Sequence, residues 1–116
     1  MPKESSTNAI NKKKIEVRCG MSYTLMAIGG RWKPAILFRL LRSKLRYTEL
    51  RNAIPDATER ILVLQLKELE KDGLIKRMVY AEMPPRVEYE LTDKGRSLEP
   101  ILQQLSNWGE ANRLIS

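Results

Sequence analysis

A mostly helical α+β domain, in which a short and a longer helix joined by a tight turn lead straight into a β-hairpin, is what the sequence predicts. Three observations carry this expectation. Residues Thr58 to Asp72 are rich in Leu, Glu, Lys and Arg, and Leu62, Leu66 and Leu69 form one apolar stripe flanked by Ile61 and Gln65, the mark of an amphipathic helix. Ile54-Pro55-Asp56-Ala57 breaks the chain just before it, because a residue preceding proline is pushed out of helical angles. The stretch VYAEMPPRVEYELT, residues 79–92, holds two alternating apolar and polar runs around Met83-Pro84-Pro85, the pattern of paired strands.

The elements follow in order. Residues 1–14, MPKESSTNAINKKK, are polar, lack periodicity and end in lysines, so they read as a mobile basic arm ahead of a single domain over 15–116. Met21 to Ile28 predicts a short apolar helix stopped by Gly29-Gly30. Trp32 to Leu41 predicts another, with Pro34 in its first turn and Ile36, Leu37, Leu40 and Leu41 at helical spacing. After a turn at 42–44, Thr48 reads as the N-cap of a short helix through Ala53. The long helix ends at Gly73, which supplies a left-handed stop. Folding the hairpin about Met83-Pro84 pairs 75 with 91, 77 with 89 and 79 with 87. That register puts Ile75, Val79, Val87, Tyr89 and Leu91 on one face, sets Lys76 opposite Glu90, and offers Arg77 a cation–π contact with Tyr89. Prolines at the tip restrict the loop without costing ladder hydrogen bonds. Thr92 caps a last helix to about Asn112, in which Pro100 marks a bend or a break.

Composition narrows the function. A chain of 116 residues has room for one domain and needs no disulfide or metal to stay folded. Its single cysteine, Cys19, rules out an internal disulfide and fits a reducing compartment. No run of about 20 apolar residues and no signal segment is found, so a soluble, cytoplasmic protein without a membrane partner is expected. With no histidine, no second cysteine, no phosphate-binding glycine loop and no metal-ligand cluster, neither catalysis nor a cofactor or metal is expected. The net charge is +7, and it is uneven. Residues 1–18 carry five Lys/Arg against two acids and 31–77 carry twelve against six, whereas 78–116 carry four against six. Such asymmetry suits a polyanion, since each cation placed on a phosphate releases counterions, and it equally suits a merely solubilising surface.

A short helix, a four-residue turn, a longer helix and a hairpin make a winged helix-turn-helix with a two-stranded β-hairpin wing. The stretch 19–110 resembles the HxlR-type branch of the MarR-like winged-helix regulators of bacteria. Cys19 with IGGRW (28–32), YTELRNAIPD (47–56), LKELEKDGLIKR (66–77), PPRVEYELTDKGRSL (84–98) and NWGE (107–110) carry the resemblance. It implies a double-stranded DNA-binding transcriptional regulator, repression being the commoner expectation, that acts as a homodimer on a palindromic operator. A winged-helix protein-interaction module without sequence-specific DNA binding is the alternative.

Within this fold, the outward positions of the 58–72 helix are Thr58, Glu59, Arg60, Val63, Leu64 and Lys67. The first three are candidates for base edges or flanking phosphates and Lys67 for the backbone; solvated charge is the other reading of Arg60 and Lys67. Val63 and Leu64 stand where the family tends to be polar. They read either as contacts to thymine methyls or as a slightly rotated helix with one of the two in the core. Thr48 caps its helix, meets a phosphate, or does both, while Tyr47 packs beneath or touches the backbone, and Arg46 and Arg51 add positive charge. Arg86 at the wing tip meets the backbone or minor groove, or pairs with Glu82 or Glu88. The resemblance further implies a dimer of terminal helices through Tyr23, Leu25, Met26, Ile101, Leu105, Trp108 and Leu114, with Trp108 alternatively in the monomer core. Cys19 matches a position that senses electrophiles or oxidants in several members, although Gly20 replaces their usual proline; an inert, half-buried thiol is the bland reading. Arg18 beside it would favour the thiolate.

Overall fold

The computed structural model describes residues 19–114, so the arm at 1–14 and Arg18 lie outside the described residues. The chain divides at Gly30 into two compact units. The first contains α1, Gly20–Ile28, whose N-cap Cys19 has extended backbone angles. Thr24 donates its hydroxyl to the Gly20 carbonyl at 2.9 Å.

The second unit holds α2 (Lys33–Leu40), β1 (Leu45–Arg46), α3 (Tyr47–Ala53), α4 (Glu59–Lys71), β2 (Ile75–Tyr80), β3 (Arg86–Leu91), α5 (Asp93–Arg96) and α6 (Glu99–Asn112). Its core is the sum of the apolar stripes. Ile36, Leu37 and Leu40 come from α2, Leu50 from α3, Leu62, Leu66 and Leu69 from α4, and Ile75, Tyr89 and Leu91 from the sheet, all buried. Lys33 is buried as well, and its ammonium meets Glu68 of α4 at 2.7 Å, the pairing that a charge out of water requires.

Helix α4 is bounded as its sequence suggests. The Thr58 hydroxyl oxygen accepts from the Ile61 N–H at 3.1 Å, and Gly73 takes φ 75°, an angle that costs glycine nothing. The hairpin register pairs Ile75 with Leu91, Lys76 with Glu90, Arg77 with Tyr89 and Val79 with Val87, and Lys76 forms its ion pair with Glu90 at 3.2 Å. The wing is bolted to the end of α4. The Thr92 hydroxyl donates to the Gly73 carbonyl and accepts from the Gly95 N–H, Thr92 N–H donates to Leu74 O, and the Lys94 ammonium donates to the Asp72 carbonyl. Gly95 lets the chains approach this closely, since a Cβ there would sit 2.1 Å from the Leu74 carbonyl oxygen.

Several expectations need correction. Thr48 is not the N-cap of α3; Arg46 is, and the Glu49 carboxylate accepts from the Arg46 N–H at 2.8 Å, so the helix starts before Thr48. Leu45 and Arg46 form a third strand, antiparallel to β3, giving the order β1-β3-β2. Arg77 does not lie over the Tyr89 ring, although it pulls the Tyr89 phenol pKa downward against burial; the cation–π contact of the wing joins Arg86 to Tyr80 at 4.2 Å. Val79 is exposed, because the inner face of the hairpin leaves the core toward the tip. As Pro100 leads one to expect, the terminal helix is broken, with α5 ending at Arg96 and Pro100 in the first turn of α6. Leu114 lies past the end of α6.

Candidate nucleic-acid interface

The reading surface is built by α3, α4 and the hairpin. Packing Leu62, Leu66 and Leu69 into the core, at 0, 1 and 0% exposure, leaves the opposite side of α4 to solvent. Thr58, Glu59, Arg60, Leu64 and Lys67 are exposed there, and Val63 is half-buried. Neither member of the apolar pair is core. Val63 turns toward the wing, and Leu64, 51% exposed, points away from the domain.

Between α4 and the hairpin runs a cleft of about 930 Å³. Thr48, Val63, Lys67 and Arg86 of the predicted set line it together, with Arg46, Tyr47 and Arg77 beside them. Thr58, Glu59, Arg60 and Leu64 lie outside it, on the first half of α4. Four cations, Arg46, Lys67, Arg77 and Arg86, face two carboxylates, Glu70 and Glu82, across the cleft, which favours an anion in it. Arg77 is the residue sequence reasoning missed. The alternation of β2 places it on the apolar side of its strand between Ile75 and Val79, and a cation in that position was the available signal. Burial raises the Tyr89 phenol above its ordinary pKa, against the pull of Arg77. Tyr47 is raised too, by burial and then by Glu59, so both phenols stay neutral.

Two charged candidates are already engaged. Glu59 pairs with Arg51 at 3.6 Å. Arg86 lies over Tyr80 and reaches Glu82 and Glu88 at 3.4 Å each, while Lys44 holds the other oxygen of Glu88 at 3.5 Å. These are ion pairs rather than short hydrogen bonds. Arg60 and Lys67 have no ion-pair partner among the described residues.

Cys19 is exposed rather than half-buried. The Ser22 hydroxyl and then the Ser22 backbone N–H hydrogen-bond its sulfur and lower the thiol pKa below its ordinary value, against a small desolvation, with Met21 N–H adding to them. On α1, Tyr23, Leu25 and Met26 are exposed; on α6, Ile101, Leu105 and Trp108 are, Trp108 at 72%. Trp108 is therefore outside the core of its unit. Pro100, Ile101, Leu105 and Trp108 line a shallow apolar patch.

Residues 27–114 match the model of the HxlR-like helix-turn-helix family. The chain belongs to that family. Among its HxlR-like relatives, the HTH-type transcriptional regulator YybR of Bacillus subtilis is 48% identical over 95 residues, 82% of this chain and 76% of the relative. A second HTH-type transcriptional regulator, from Methanothermobacter thermautotrophicus, is 48% identical over 95 residues, 82% of this chain and 72% of its own. Among solved structures, the redox regulator HypR in its oxidized form superposes with a TM-score of 0.80 at 47% identity, covering 84% of this chain and all of that one. The reduced form of the transcriptional regulator YodB from B. subtilis gives 0.70 at 31% identity, over 80% of this chain and 91% of that one. The HxlR-like chain is thus a transcriptional regulator built on the helix-turn-helix DNA-binding fold, and its relatives are regulators rather than enzymes. Among the described residues, no helix is long and apolar enough to cross a membrane.

Proposed function

We propose that this chain is a non-enzymatic, cytoplasmic repressor that binds a palindromic double-stranded operator as a homodimer, with α4 in the major groove and the hairpin on the flanking backbone or minor groove. The observation that carries this is the outward face of α4, where Arg60 and Lys67 stand exposed without ion-pair partners beside a cleft lined by four cations. On this reading Thr58, Glu59, Arg60, Val63 and Leu64 face base edges or adjoining phosphates. Thr48, Lys67 and Arg86 hold the backbone. A single helix of this kind reads only a few base pairs, so selectivity calls for two, roughly 34 Å apart on a two-fold site. The exposed apolar faces of α1 and α6 supply the surfaces such a pair would bury.

Redox control through Cys19 belongs to the same proposal. Its exposure and lowered pKa favour the nucleophilic thiolate, and two structural neighbours are described as a redox regulator in oxidized form and a diamide-treated regulator. With one cysteine per chain, an oxidant or electrophile yields a disulfide to the partner subunit, a small-thiol adduct or a sulfenic acid. Footprinting on the DNA upstream of the encoding gene tests the reading. A protected inverted repeat supports it; uniform, sequence-independent retention would leave only a non-specific binder, and no retention would favour the protein-interaction module.

A further inference from the structure

Resting on that reading, we infer that Leu64 is a specificity-determining residue that selects a thymine through its C5-methyl group. The argument begins with helix phase. At about 100° per residue, Leu64 lies roughly 160–200° round the axis from Leu62 and Leu66. Those two leucines are almost fully buried, so no small rotation of α4 brings Leu64 inside without expelling them. It is held outward by the core itself.

The surroundings of Leu64 define its occupant. Arg60 and Lys67 lie four residues before it and three after it, on the same face, and both are exposed and unpaired among the described residues. The nearest following carboxylate, Glu68, is taken by Lys33. An apolar group set between two available cations matches a surface that is anionic at its edges and carries a methyl between them. The major groove of duplex DNA offers that arrangement wherever a thymine stands, its methyl being the apolar feature of the base-pair edges. An apolar protein partner fits the leucine but leaves both cations facing it without counter-charges.

The size of the effect follows from one methyl. Removing it costs about fourfold in Kd per half-site, which is about 0.8 kcal/mol for one buried carbon. The test selects a preferred duplex from a random-sequence library with the wild-type chain, then replaces each thymine in turn by deoxyuridine. At one or two positions per half-site, uracil should weaken wild-type binding by about this factor. Leu64→Ala, an exposed change whose folding is checked by its melting temperature, should bind the thymine and uracil duplexes equally. A defined site with no methyl dependence, or the same dependence in Leu64→Ala, overturns the inference and leaves DNA binding intact. A chain that selects no duplex at all overturns both.

Discussion

Arg86 carries a prediction whose size can be worked from the structure. Its side chain is 29% exposed, with the guanidinium stacked on Tyr80 and shared between Glu82 and Glu88 at 3.4 Å. To reach a phosphate it must leave at least one carboxylate. Each phosphate neutralised contributes about 0.9 to the slope of log affinity against log salt, so one Arg86 per protomer amounts to roughly 1.8 in a dimer. Between about 50 and 200 mM salt, the advantage of the wild type over Arg86→Ala should therefore shrink by about tenfold. Glu82→Gln removes the more exposed competitor, 48% exposed against 12% for Glu88. Pairs this exposed are worth at most about 1 kcal/mol, so DNA binding should tighten by up to about fivefold per half-site. Fluorescence anisotropy on a labelled operator, titrated at four salt concentrations, reads both effects. An unchanged slope for Arg86→Ala would remove the wing tip from the backbone contacts. Weaker binding by Glu82→Gln would show that Glu82 orients Arg86 rather than competing with DNA for it.

Cys19→Ser should keep DNA binding in reducing buffer and lose any response to diamide or quinones; a variant that still responds would place the sensor elsewhere. Alkylation of Cys19 by iodoacetamide should reach half its maximal rate below the ordinary thiol range near about pH 8.5, and Ser22→Ala should move that midpoint upward, because the Ser22 hydroxyl is the main cause of the lowered pKa. Trp108→Glu, on an exposed apolar patch of α6, should shift sedimentation from dimer to monomer while leaving the helical circular dichroism unchanged; a persistent dimer would exclude that patch from the interface. Gly95→Ala places a methyl 2.1 Å from the Leu74 carbonyl and should cost about 3 kcal/mol in urea denaturation, a neutral result meaning that the base of the wing yields freely.

The reach of the sequence ended where side chains acquire partners distant in the chain. Helix α4 was legible because its stripe, its Thr58 cap and its Gly73 stop are all local signals that agree. The hairpin register was legible for a similar reason: period-two alternation and a proline tip leave one sensible pairing. Strand β1 was not, since two residues have no periodicity and Leu45 becomes a strand only by meeting Tyr89. Thr48 was misplaced because propensity favours threonine at a cap, whereas the Glu49 carboxylate fastens the start of α3 at Arg46. Arg77 reads from the sequence only as a partner for Tyr89, because its place in the cleft exists only once the hairpin lies beside α4. For Cys19 the sequence offers Arg18, outside the described residues, as a cause of a reactive thiolate; Ser22, one helical turn downstream, is a further cause that only the helix start brings to the sulfur.

Rigidity of the reading surface bears on how a signal at Cys19 could control it. The wing and α4 share one frame, because Thr92, Lys94 and the close contact of Gly95 with Leu74 tie the base of the hairpin to the last turn of the helix. Leu64 and Lys67 are held in phase by three buried leucines. Deforming that frame means breaking several hydrogen bonds and opening a packed core, a cost of many kcal/mol. Cys19 belongs to the other compact unit, and the groups that lower its pKa, on Ser22 and Met21, are local to its own helix start. If oxidation changes operator binding, the cheaper route is to alter how two intact reading heads are presented to a two-fold site. Spacing between half-sites would then be the quantity that oxidation changes, while preference within a half-site, including the methyl preference of Leu64, should be the same in both redox states. Comparing operators of varied half-site spacing under reducing and oxidising conditions separates the two mechanisms. A spacing optimum that moves on oxidation supports re-presentation, and altered base preference at constant spacing would show that the frame itself gives way.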